Sequence, residues 1–105
     1  MNITFRQIRL FLALAESGSV SAAAKLMHVT QPTASMQLKE ITQSVGLPLY
    51  EVINKKIFLT DLGNELVVTG RVMTQTWESF EQTVDAMKGL SRSEEHTSEL
   101  QSPCN

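Results

Sequence analysis

Residues Ser19 to Gly46, SVSAAAKLMHVTQPTASMQLKEITQSVG, constrain this chain more than any other stretch. They read as a short helix, a tight turn and a longer helix. In the longer helix Ala34, Leu38, Ile41 and Val45 recur at i, i+4, i+7 and i+11, one face of an α-helix. The face turned away carries Thr33, Met36, Gln37, Glu40 and Gln43. A helix buried on one side, with a polar and uncharged N-terminal end on the other, suits insertion into a DNA major groove. The neighbouring segments read as supports for it.

Upstream, Thr4-Phe5-Arg6-Gln7 forms a capping box that opens a first helix, and Ile3 and Ile8 are placed for a hydrophobic staple. Phe5, Ile8, Phe11, Leu12 and Ala15 make a helical stripe. Leu10 and Leu14 add a second apolar sector, so the helix is expected to pack on two partners. Gly18 ends it. Ser19 caps the next helix, Ala22 to Ala24 allow close packing, and Leu26 and Met27 anchor its end. His28-Val29 is the turn, Thr30 the N-cap of the third helix, and Pro32 fits its first turn, where backbone amides lack intrahelical partners. A lone turn histidine without metal partners reads as structural, so no metal is expected.

Gly46 and Pro48 end the third helix. Leu49 to Ile53 and Ile57 to Thr60 are β-rich runs joined by Asn54-Lys55-Lys56, a hairpin with a basic tip. It is either a flap completing the core or a wing whose lysines touch phosphate or the minor groove. After a helix-turn-helix the wing is favoured. A long helix then runs from Thr60-Asp61 to about Gly89. Leu66, Gly70, Met73, Trp77, Phe80, Val84 and Met87 are spaced as a coiled-coil seam over three heptads. Leu62, Val68 and Val72 form a second stripe suited to holding this helix on the preceding domain. The fold class expected is mainly α, a winged helix-turn-helix of three helices and a two-stranded wing, followed by a long linker helix. Residues 1–60 would be the DNA-binding domain, 61–90 the dimerisation helix and 91–105 a tail.

The net charge of −2 argues against a nucleic-acid partner until it is divided along the chain. Residues 1–60 carry six basic against three acidic side chains, +3; residues 61–90 carry two against five, −3; residues 91–105 carry one against three, −2. Positive charge therefore accompanies the helix pair. It is modest, so phosphate attraction alone should be weak. No apolar run approaches the ~18 residues of a membrane span and no signal peptide is evident, so a cytoplasmic location is expected. The one cysteine, Cys104, can form no disulfide within the chain. Phosphate loops, metal-ligand spacings and nucleophile–base pairs do not appear, and no enzyme or cofactor is expected.

The last residues, SRSEEHTSELQSPCN, hold Leu100 as their one aliphatic side chain and show no periodicity, which predicts disorder. Arg92 to Ser102 also resembles the in-frame translation of a sequencing-library adapter, so coding sequence would end near Leu90 or Ser91; a native acidic tail is the alternative.

Residues 3–66 together resemble the N-terminal domain of LysR-type transcriptional regulators, on the run FRQIRLFLALAESGSVSAAAKLMHVTQPTAS, then GLPLYE, then LTDLG. The resemblance implies a winged helix-turn-helix that dimerises through the linker helix and binds double-stranded DNA at an interrupted palindrome in a promoter. It places base reading on Gln31, Pro32, Thr33 and Ser35, and the wing's basic contact on Lys55. Met36, Lys39 and Lys56 complete the expected DNA-contacting set. Leu66, Met73, Trp77, Phe80, Val84 and Met87 make the expected homodimer seam. Three positions depart from the family pattern. Met36 and Val52 stand where arginine is frequent, and Leu62 stands where a small residue is usual. Two lost arginines remove bidentate donors to guanine or phosphate, and Met36 could contact a thymine methyl instead. Such proteins continue into an effector-binding domain, so no small-molecule effector site is expected in this fragment. The competing reading is a coiled-coil dimerisation module without productive DNA binding.

Overall fold

A computed structural model of the chain describes residues 1–94, with side chains for residues 1–89. Four helices and one hairpin follow in order: α1 (Phe5–Ser17), α2 (Val20–Leu26), α3 (Gln31–Val45), β1 (Tyr50–Ile53), β2 (Lys56–Leu59) and α4 (Asp61–Glu94). Local sequence sets most of these boundaries. The Thr4 hydroxyl accepts from the Gln7 amide at 3.1 Å, while Gln7 Oε1 accepts from the Thr4 amide at 3.0 Å. Ser19 and Thr30 cap α2 and α3 by accepting from the amides of Ala22 and Thr33. Gly18, at φ 83°, closes α1 in the left-handed conformation that glycine tolerates.

The core lies where α1, α2 and α3 meet. Phe11, Leu14, Leu38, Ile41 and Leu49 are its largest fully buried side chains, and Ala23, Ala24 and Ala34 let the helices approach closely. Burying a leucine or phenylalanine contributes roughly 1.5–3 kcal/mol, so these few residues dominate the stability of the unit. Leu26 does not anchor α2: it is 54% exposed, and Met27 packs against the core in its place.

The hairpin pairs Tyr50 with Leu59, Glu51 with Phe58, Val52 with Ile57 and Ile53 with Lys56. Its turn is the two-residue pair Asn54-Lys55, both at positive φ (52° and 65°), the pattern of a type I′ turn that matches strand twist. Lys56 therefore opens β2 rather than sharing the tip. The hairpin is tied down at two points. The Ile57 amide donates to the Gly18 carbonyl at the end of α1. At the base, the Thr60 hydroxyl donates to the Pro48 carbonyl at 2.9 Å and accepts from the Gly63 amide at 3.1 Å, capping α4 as well.

The chain divides into two compact units, Met1–Val72 and Met73–Asn105. Within the first, α4 meets the core through Gly63, Val67 and Gly70. A methyl group at Gly63 would collide with the Leu49 carbonyl; one at Gly70 would crowd Ile8 Cγ2 at 3.0 Å and Leu12 Cδ2 at 3.1 Å. The expected second stripe is only partly right. Leu62 packs on the core, but Val68 and Val72 are 61% and 58% exposed, and Val67 is the buried valine. The glycines explain the shift: Gly63 admits the Leu49 backbone and Gly70 admits α1, and Val67 lies between them on the same inward side of the helix. Within the second unit, the Trp77 and Phe80 rings lie 5.5 Å apart in a tilted arrangement. Helix α4 continues to Glu94, past the expected end near Gly89. The remainder of the expected tail, residues 95–105 with His96 and Cys104, lies outside the described residues.

Candidate nucleic-acid interface

Helix α3 is firmly anchored on one side. Ala34, Leu38 and Ile41 are completely buried, so the direction of its opposite face is fixed by the core. That outward face carries Pro32, Ser35, Met36, Lys39 and Gln43, all exposed, with Gln31 exposed at its start. Thr33 and Gln37, expected to point outward, are half-buried. They line a small cleft with Arg6 and Leu10 of α1 and with Met27 and Val29. Two helices cover α3, so its buried face is wider than a single apolar stripe. The Thr33 hydroxyl also accepts a 2.9 Å hydrogen bond from the Thr30 hydroxyl, which fastens the first turn.

Glu40 has the wrong charge for a surface meeting phosphate. Gln7 of α1 donates to Glu40 Oε1 at 3.1 Å, and the same side chain completes the α1 capping box. Gln7 is 7% exposed, so the carboxylate is tied to a fixed donor on α1. Sequence reasoning saw Gln7 as a cap and missed this second role, because the partner lies 33 residues away.

The exposed lysines supply the positive charge. Lys39 follows Ser35 by one helical turn. Lys55 stands at the hairpin tip and Lys56 follows it, opposite Ile53. Between α3 and the base of the hairpin lies a groove of about 500 Å³ lined by Ser35, Met36, Lys39, Thr42, Pro48 and Tyr50. Burial raises the pKa of Tyr50 above the ordinary phenol value.

The long seam is divided by its surroundings. Leu66 packs against the core and Gly70 is buried, whereas Met73, Trp77, Phe80 and Met87 are 43%, 46%, 56% and 68% exposed, and Val84 is half-buried. Among the described residues, no group of three or more His, Cys, Asp or Glu side chains could hold a metal ion. No helix among them is long and apolar enough to cross a membrane.

Comparison with known proteins gives these features a context. The family described as "Bacterial regulatory helix-turn-helix protein, lysR family" matches residues 5–64. The HTH-type transcriptional activator CmpR of Synechocystis sp. is 35% identical over 91 residues, 87% of this chain and 30% of that protein. The RuBisCO operon transcriptional regulator of Allochromatium vinosum is 35% identical over 92 residues, 88% of this chain and 30% of that protein. The chain thus spans about 30% of the length of these relatives. Among solved structures, Vibrio fischeri DarR in complex with DNA superposes with a TM-score of 0.75 at 30% identity, over 87% of this chain and 31% of that one. The CbnR_DBD–DNA complex superposes with a TM-score of 0.70 at 31% identity, over 81% of this chain and 99% of that one.

Proposed function

This chain belongs to the LysR family of bacterial regulatory helix-turn-helix proteins and carries its DNA-binding domain, and from that premise we propose that it regulates transcription as a homodimer on an interrupted palindrome. Residues 1–60 read and hold DNA, and residues 61–90 join two copies. Gln31, Pro32, Ser35 and Met36 meet base edges at the start of α3, while Thr33 faces the cleft toward α1 and fastens the first turn. Gln31 makes the contact with greatest discrimination, since a glutamine can bond adenine bidentately. Lys39, Lys55 and Lys56 meet phosphate. The seam is Met73, Trp77, Phe80, Val84 and Met87, since Leu66 is taken up by the core, and the protein acts in the cytoplasm without enzymatic chemistry of its own.

The observation that carries this reading is the contrast across α3. Ala34, Leu38 and Ile41 are 0% exposed, while the face opposite presents Ser35, Met36 and Lys39 to solvent. A surface helix held this firmly, with an outer face of short polar, flexible apolar and cationic side chains, suits a groove of base edges flanked by phosphates. Two relatives in the comparison are themselves named as DNA complexes.

A dimerisation module without DNA binding is the second reading, favoured by the exposure of Trp77 and Phe80 alone. Anisotropy titration of a fluorescent duplex at several salt concentrations separates the two. DNA binding predicts a saturable rise that weakens steeply with salt. A flat response at tens of micromolar protein and low salt would leave only the module.

A further inference from the structure

The groove between α3 and the hairpin base is lined by a tyrosine that the reading above does not use. Its helix wall is Ser35, Met36, Lys39 and Thr42; Pro48 and Tyr50 form the other wall. Two of its polar groups are already engaged. The Thr42 hydroxyl donates to the Leu38 carbonyl at 3.0 Å, and the Pro48 carbonyl accepts from Thr60. The Lys39 ammonium is exposed and has no ion-pair partner among the described residues. The Tyr50 ring is half-buried, and its hydroxyl has no hydrogen-bond partner among the described residues. Tyrosine hydroxyls on packed rings usually find one.

A cation, a phenol and a few apolar side chains lining one open groove match the chemistry of a sugar-phosphate unit. The ammonium neutralises the phosphate, the hydroxyl donates to a non-bridging oxygen, and Pro48 offers apolar contact to the deoxyribose. We propose that this groove seats one phosphate and its sugar from the backbone of bound DNA, with Tyr50 donating to the phosphate that Lys39 neutralises. The proposal rests on the DNA-binding reading of α3 and adds a contact at the root of the wing. Its surroundings agree. Glu40 is tied to Gln7, and Glu51 lies on the opposite face of β1 from Tyr50 by strand alternation. Burial keeps the phenol protonated, which is the donor form required beside an anion.

The test uses the full chain and a duplex recovered by selection from a random pool. Tyr50→Phe keeps the packed ring and removes only the hydroxyl. It should leave the thermal midpoint unchanged and weaken binding roughly threefold to tenfold, on selected and random duplex alike. The salt slope should stay the same, because no charge is lost. Lys39→Ala should weaken binding and lower the log-affinity against log-salt slope by about one. A scan of single neutral methylphosphonates along the duplex should then find one position where wild type loses affinity and both variants lose little more. Wild-type affinity for Tyr50→Phe would overturn the seat, and so would a loss that tracks a lowered midpoint or full additivity at every phosphate. If wild type binds no duplex at all, the DNA-binding reading itself falls and the seat falls with it.

Discussion

The two compact units, Met1–Val72 and Met73–Asn105, treat apolar side chains in opposite ways. In the first, Phe11, Leu14, Leu38, Ile41 and Leu49 are each under 2% exposed. In the second, Met73, Trp77, Phe80 and Met87 keep 43–68% of their surface in water. One heptad pattern runs through both. Its early positions, Leu66 and Gly70, are used inside the first unit, Gly70 against α1, and its later ones, Met73, Trp77, Phe80 and Met87, stay exposed. Periodicity therefore says which residues share a face and not what covers that face. The first unit can supply its own stability. The second exposes large apolar side chains in a row, which fits a surface completed by another helix.

The largest effect should come from the first unit's core. Leu38→Ala removes a completely buried side chain and should cost ~2–5 kcal/mol, read as a lowered chemical-denaturation midpoint at unchanged m-value. Gly63→Ala should follow at ~1–3 kcal/mol, because its methyl meets a backbone carbonyl that cannot swing away. Phe80→Asp sharpens the contrast. It should turn dimers into monomers in sedimentation while the first unit melts at its usual temperature. A wild type already monomeric at tens of micromolar would break the comparison.

Smaller effects separate reading from holding. Lys55→Ala should weaken selected and random duplex alike and reduce the salt slope by about one. Gln31→Ala should flatten preference at one or two base pairs, at ~1–3 kcal/mol of discrimination, and leave the slope nearly intact. Titrations of matched and randomised duplexes at several salt concentrations check both. The reverse pattern would exchange the roles of helix and wing.

Features encoded over three or four residues were legible from sequence. Thr4, Ser19 and Thr30 cap where their hydroxyls predict, and Gly18 and Gly46 close helices in left-handed geometry. Features decided by partners distant in sequence were not. The hairpin tip is Asn54-Lys55 because Ile53 pairs with Lys56, a register that composition does not reveal. Val67 replaced Val68 and Val72 because close approach over Gly63 and Gly70 chooses the inward side of α4. Thr33 and Gln37 turned inward because α1 and α2 flank α3 together. Of the candidate DNA-facing set, Gln31, Pro32, Ser35, Met36, Lys39, Lys55 and Lys56 are all exposed. Tyr50 escaped notice because an aromatic at a strand start reads as packing, and only the groove brings it together with Lys39.

The central claim is that two copies of one anchored helix read DNA sequence. Selection of bound duplexes from a random pool by the wild-type chain tests it most directly. The account predicts an enriched interrupted palindrome, two inverted half-sites whose centres lie whole helical turns apart. An unenriched pool, or a single half-site without an inverted partner, would contradict it.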